Sequence, residues 1–268
     1  MTEKIDVLDK GFVRLVDYMG DDARIVQAAR VSYGAGTKTY REDKGLINYL
    51  LRNDHTSPFE QVVFVFHLKM PIFVARQWIR HRAARTNEIS GRYSVLKEEY
   101  YMPEDSDIAL QSKDNKQGRG EQVDMSLVKS TQTLIQTSCN NSFDIYNTLI
   151  NDDIARELSR IVLPLNTYTE MYWQMDLHNL FRFLKLRMDG HAQKEIRVYA
   201  EAIFTMVKEI CPIAVEAFEE HVLHGMRLSR SEVRVLKDIL NSRPIGSIDE
   251  KVLKTIEEKL GYHHKAPE

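Results

Sequence analysis

Cysteine is scarce in this chain: Cys139 and Cys211 are the only two in 268 residues, and neither belongs to a CxxC or other metal-ligand spacing. Disulfide scaffolding and structural zinc are both disfavoured on that count, and the two read as ordinary buried thiols. Long apolar runs are missing as well. No stretch approaches the roughly 20 residues of a membrane-spanning helix, and the opening MTEKIDVLDK lacks the apolar run of a signal peptide. The expectation is a soluble, cytoplasmic protein with no membrane partner. A basic excess is absent too: the formal charge is -2 and the pI about 6.5, whereas a nucleic-acid-binding domain is usually basic. Zinc-finger, RNP and basic-zipper patterns do not occur. His263 and His264 are adjacent and would not share a helix face, so they suggest no metal site.

What is present suffices for a full core. The chain is 43% hydrophobic and reads as one large domain or one domain with an extension. Residues 5 to 19 suit strands broken at Asp9, Lys10 and Gly11, and Asp21 or Asp22 can cap a following helix. Another helix runs through Leu46, Ile47, Leu50 and Leu51, after a connection holding Gly34 and Gly36. Ser57, Pro58 and Glu60 have the form of a capping box with proline at the first helical position. VVFVFHLKM, residues 62 to 70, is β-branched and aromatic and fits a central strand. Residues 98 to 121 are polar and read as a mobile surface loop. A long scaffold helix is expected over 123 to 150, then a short one capped by Asp152 or Asp153. Thr167 to Trp173 suits a strand, Asp176 caps LHNLFRFLKLRM, and a helix from Lys194 to Ile210 stops before Pro212. Two amphipathic patterns occupy 227 to 260 around a turn at Pro244 and Gly246.

The most informative stretch is PIFVARQWIRHRAARTNEISGRYS, residues 71 to 94. Pro71 suits a helix start, and Ile72, Ala75 and Ile79 follow at helical spacing. Arg76, Arg80, Arg82, Arg85 and Arg92 crowd the same segment, with Glu88 its one carboxylate. Like charges one helical turn apart cost about a few tenths of a kcal/mol unless an anion lies between them. Arginine is the usual choice for bidentate phosphate recognition, so a small phosphate-bearing ligand leads. A solvated charged face and a nucleic-acid backbone are the alternatives.

Arg80-His81-Arg82, seven residues, then Ser90, with Arg92, Tyr93 and Ser94 following and Asn87 and Glu88 enclosed, resembles the signature of the flavin-dependent thymidylate synthases. RIVLPLNTYT (160 to 169) and Arg187-Met188-Asp189-Gly190-His191-Ala192-Gln193, with Glu195 and Ile196, resemble further family blocks. Together with the element pattern, the resemblance implies an α+β fold: a single helix-rich domain around a small, mainly antiparallel twisted sheet. The family core ends near Leu223, so 1–268 is taken as one domain, with a catalytic core of about 1–225 and a helical extension over 226–268.

The resemblance also implies ligands. FAD is the cofactor, with NAD(P)H and methylenetetrahydrofolate as co-substrates, and a homotetramer assembles the site. His55, Ser57, Arg80, His81, Arg82, Ala83, Glu88, Asp176, Leu177, His178 and Arg182 fall at flavin positions. Gln77, Trp78, Ile79, Arg80, Glu88, Ile89, Ser90, Gly91, Arg92, Arg160 and Arg187 fall at positions for deoxyuridylate (dUMP). Arg187 is the catalytic candidate, because it meets the uracil ring in the family. Arg187 also follows Leu180 by seven residues on the apolar stripe of its helix, where a cation needs a partner, Asp189 being a local one. Glu88 is expected to hold ribose or order the arginines. Neither cysteine lies in an arginine-bearing segment, and Ser90 has no evident His and carboxylate to activate it. The uracil is therefore expected to be activated by polarisation, with Arg187 leading.

Overall fold

The computed structural model describes residues 4–31, 40–113, 115–240 and 250–260. Strands β1 (Lys4–Val7) and β2 (Gly11–Met19) form a hairpin, followed by helices α1 (Asp22–Arg30) and α2 (Tyr40–Arg52). Then come β3 (Val63–Pro71), α3 (Ile72–Trp78), β4 (Arg85–Glu88), β5 (Ala109–Gln111) and β6 (Arg119–Gln122). Helices α4 (Met125–Asn151) and α5 (Arg156–Ser159) lead to β7 (Tyr168–Asp176), and α6 (Leu177–Arg187), α7 (Lys194–Ile210) and α8 (Pro212–Phe218) follow. Helices α9 (Arg230–Leu240) and α10 (Glu250–Leu260) are the last elements among the described residues. The chain divides into two compact units, Met1–Glu216 and Ala217–Glu268.

The α+β expectation holds. Five strands form an antiparallel sheet in the order β1-β2-β3-β7-β4, which places the VFVFHLKMP strand at the centre. Alternation along it explains the core. Phe64, Phe66 and Leu68 are wholly buried and pair with Met175, Trp173 and Met171 of β7, while Val63, Val65 and His67 turn to a half-exposed face. Gly11 is required where β2 begins, since a Cβ there would stand 2.0 Å from the Tyr199 hydroxyl. That hydroxyl donates to the Lys69 carbonyl at 2.6 Å and ties α7 to the sheet.

Pro71 ends β3 with extended backbone, and α3 lasts only to Trp78. The indole of Trp78 is wholly buried against Phe183, Trp173 and Tyr199, with ring centroids 4.5, 5.2 and 6.1 Å away. That anchor stops the helix there, because the chain must turn back to hydrogen-bond β4 onto β7. Arg80 lies on the turn beyond α3.

Several local expectations are corrected. Ser57 does not cap a helix: the segment is a single 3-10 turn, Phe59–Gln61, without a side-chain cap, and the Thr56 hydroxyl donates to Glu60 instead. Asp152 follows the end of α4, Asp153 has φ 58°, and α5 has no side-chain cap. Part of the stretch read as a surface loop forms the paired strands β5 and β6, anchored where Arg119 pairs with Asp107 and Glu195. Asp124 caps α4, whose Leu127 and Leu134 are exposed while Val128, Phe143 and Tyr146 are buried. Gly34, Gly36, Pro244, Gly246, His263 and His264 lie outside the described residues. No helix among the described residues is long and apolar enough to cross a membrane.

In the second unit α9 opens with a capping box in which Ser229 and Glu232 each accept from the other's backbone N–H. Val235 and Ile256 are buried, and Lys259 pairs with Glu232 at 2.6 Å.

Candidate active site

The turn after α3 and the outer side of α6 enclose a cleft of about 420 Å³. Arg80, His81, Arg82 and Ala83 come from the turn; Asn179, Arg182, Leu186 and Arg187 come from α6, with Met175 at the end of β7. The fold sets this up in two steps. Trp78 fixes the end of α3 in the core, and the Asp176 carboxylate caps α6 by accepting from the Asn179 N–H at 2.9 Å. Four guanidinium groups thus line a cleft that no carboxylate lines. Among the described residues none of the four makes an ion pair, so the charge is left for an anionic ligand.

Arg187 is held by two hydrogen bonds. Its Nε donates to His81 Nε2 at 3.0 Å and its Nη2 to the Gln77 carbonyl at 3.2 Å. Asp189 is not its partner, because that carboxylate accepts from the backbone and ring of His191. Burial, then Arg187 and Arg182, pull the His81 pKa down to about 4, so the ring is neutral near pH 7. Burial also lowers the pKa of Arg187 from its ordinary value.

A second cluster lies where β4 ends. Ser90 Oγ accepts from the Arg92 N–H, and Gly91 is packed so closely that a Cβ would lie 3.1 Å from Arg160 Cδ. Arg160 therefore does lie beside the Ser90-Gly91-Arg92 loop. Arg92 is matched by Glu157 at 3.2 Å, and Glu88 accepts from the Thr169 hydroxyl at 2.6 Å rather than ordering an arginine. The Gln77 side chain donates to Gln193 at 2.6 Å.

Other candidates do not line the cleft. Ser57 lines a separate groove with Arg24, Gln27 and Gln61, and His55 meets Tyr49 edge-on. Trp78 and Leu177 are wholly buried, while Ile79 and Ile89 are exposed. His178 is half-buried, and the Asp176 carboxylate is occupied by its cap. Asn179, Met175 and Leu186 line the cleft without having been singled out. The available signal was the spacing 179, 182, 186, which marks one face of α6.

A larger cavity, about 730 Å³, lies between α4 and the β5–β6 hairpin and includes none of the candidates. Its charges are already matched, Arg119 with Asp107 and Glu195 and Lys194 with Asp107, so it offers less to a phosphate than the smaller cleft. Cys139 lines that cavity beside Asn166, and burial pushes the Cys211 thiol up; neither lines the arginine cleft.

Comparison with known proteins identifies the family. The family described as thymidylate synthase complementing protein matches residues 14–213. A flavin-dependent thymidylate synthase from Treponema denticola is 59% identical over 97% of this chain and 98% of its own length. One from Thermus thermophilus is 59% identical over 88% of this chain and 86% of its own. The structure of a UMP/dUMP methylase from Streptomyces cacaoi bound with 5-Br dUMP superposes with a TM-score of 0.74 at 30% identity, covering 80% of this chain and 97% of that one. With fold, arginine-lined cleft and sequence in agreement, the chain belongs to the flavin-dependent thymidylate synthase family and is an enzyme.

Proposed function

We propose that this enzyme converts dUMP to thymidylate (dTMP), taking a one-carbon unit from methylenetetrahydrofolate and reducing equivalents from NAD(P)H by way of bound FAD. The observation that supports it best is the cleft itself: Arg80, Arg82, Arg182 and Arg187 face one space with no carboxylate among its lining residues. Such a set suits the phosphates of a dinucleotide and a nucleotide, so the residues present fit FAD. FAD when bound supplies the redox chemistry; the protein supplies position and charge.

The work of the chain's own residues follows from where they stand. Arg80, Arg82 and Arg182 hold phosphate charge, and Arg160 beside the Ser90-Gly91 turn offers a further cation for an anionic group. Arg187, partly buried and charged, stabilises negative charge developing on the uracil, which favours attack from carbon 5 without a thiolate. Gln77 stands beside it. The groove at Ser57, the arginine cleft and the Ser90 loop are separate surfaces of one chain. That separation supports a homotetramer in which neighbouring copies complete each site, and the exposed Leu127 and Leu134 of α4 supply apolar surface for such contacts. The catalytic core is taken as about 1–225, with 226–268 as a helical extension, and the family match ending at 213 supports that division.

The test is Arg187→Ala. The variant should stay folded, keep its flavin and lose dTMP formation; turnover near that of the unaltered enzyme would refute the assignment.

A further inference from the structure

Arg187 is the last residue of α6, where helix ends fray and a long side chain has several rotamers to choose from. Here it is not free. A guanidinium Nε–H can only donate, so the 3.0 Å contact from Arg187 Nε requires that His81 Nε2 carry no proton and present its lone pair. The imidazole is accordingly neutral, with its proton on Nδ1. The Gln77 carbonyl accepts from Nη2 of the same guanidinium at 3.2 Å, so two fixed acceptors grip one edge of Arg187. The imidazole is itself held. The His81 backbone N–H donates to the Trp78 carbonyl at 3.0 Å, and the ring meets Phe183 edge-on at 4.8 Å, inside the aromatic cluster around the buried Trp78.

We propose that His81 is a positioning residue: its unprotonated Nε2, together with the Gln77 carbonyl, fixes the guanidinium of Arg187 so that its remaining donors point at the substrate in the cleft. The inference rests on the role given to Arg187 above and goes beyond it, because it derives the arginine's geometry from the aromatic core through a neutral imidazole. A protonated or missing acceptor leaves the cation in place but lets it swing. The neutral form is supported by the lowered pKa of the ring, which burial and the two neighbouring arginines maintain.

The choice of substitutes separates this role from others. Glutamine can place an oxygen where Nε2 stands, asparagine reaches only the Nδ1 position, and leucine fills the space without an acceptor. Measured per bound flavin, His81→Leu and His81→Asn should each lower kcat for dTMP formation by roughly ten- to hundredfold, since a hydrogen bond to a charged group is lost. His81→Gln should come back to within roughly fivefold of the unaltered enzyme. In an Arg187→Lys background, which lacks the Nε donor, His81→Leu should add no further loss. Should His81→Leu fail to fold, the contrast between the Gln and Asn variants still decides the matter. Equal activity of Gln and Asn variants, a loss of flavin that tracks the loss of turnover, or a fully additive double variant would overturn the proposal. If instead Arg187→Ala itself proves fully active, the role of Arg187 fails first, and that result comes from a different variant.

Discussion

At the scale of residues, the cleft is built from charges that the fold leaves unmatched. His81 is the one titrating group set deliberately against them, and its sign of pH dependence follows directly. The folded ring takes up a proton at about 4 and the ordinary imidazole at about 6.5. Between those values the unfolded chain binds more protons than the folded one, so stability is full above about 6.5 and falls as pH drops toward about 4. Melting temperatures followed from pH 7 downward should decline more steeply for the unaltered protein than for His81→Gln; parallel curves would contradict this. The sequence singles out Arg80, Arg82, Arg182 and Arg187 as candidates by resemblance, and the fold brings the four to one cleft, with Arg160 beside Gly91. The partners were not legible: Glu88 with Thr169, Arg92 with Glu157 and Arg187 with His81 are contacts between segments far apart in sequence, which local spacing does not specify.

Among the elements, α6 carries Asn179, Arg182, Leu186 and Arg187, so whatever stabilises its first turn preserves the cleft. Asp176 occupies that position, accepting from both the backbone and the side chain of Asn179. Removing the cap should cost about 0.5–2 kcal/mol. Urea denaturation of Asp176→Ala should show a loss of that size, with Asp176→Asn close to the original protein and flavin retained by both. Flavin loss from a fully stable Asp176→Asn would instead mark the carboxylate as a ligand contact. The long periodic elements were readable because one face of each is buried, as in β3, β7, α6 and α7. Short ones were not. The hairpin strands span three and four residues, mostly exposed, and the turn at Ser57 mimics a helix start without continuing into one. Nor does local pattern reveal that β7 pairs between β3 and β4, since that order depends on long-range registry.

For the whole molecule, the separation of the Ser57 groove, the arginine cleft and the Ser90 loop is what the proposed homotetramer rests on. Light scattering of the flavin-loaded protein should give the mass of four chains, and a monomeric mass with flavin still bound would refute the shared site. The central claim is nevertheless chemical, and one measurement reaches it most directly. Purified enzyme is mixed with dUMP, reduced nicotinamide and methylenetetrahydrofolate labelled in its one-carbon unit, and the nucleotide product is analysed for label. The account predicts a yellow protein that transfers the labelled carbon into dTMP. A correctly folded, flavin-loaded enzyme that leaves dUMP unlabelled would contradict it.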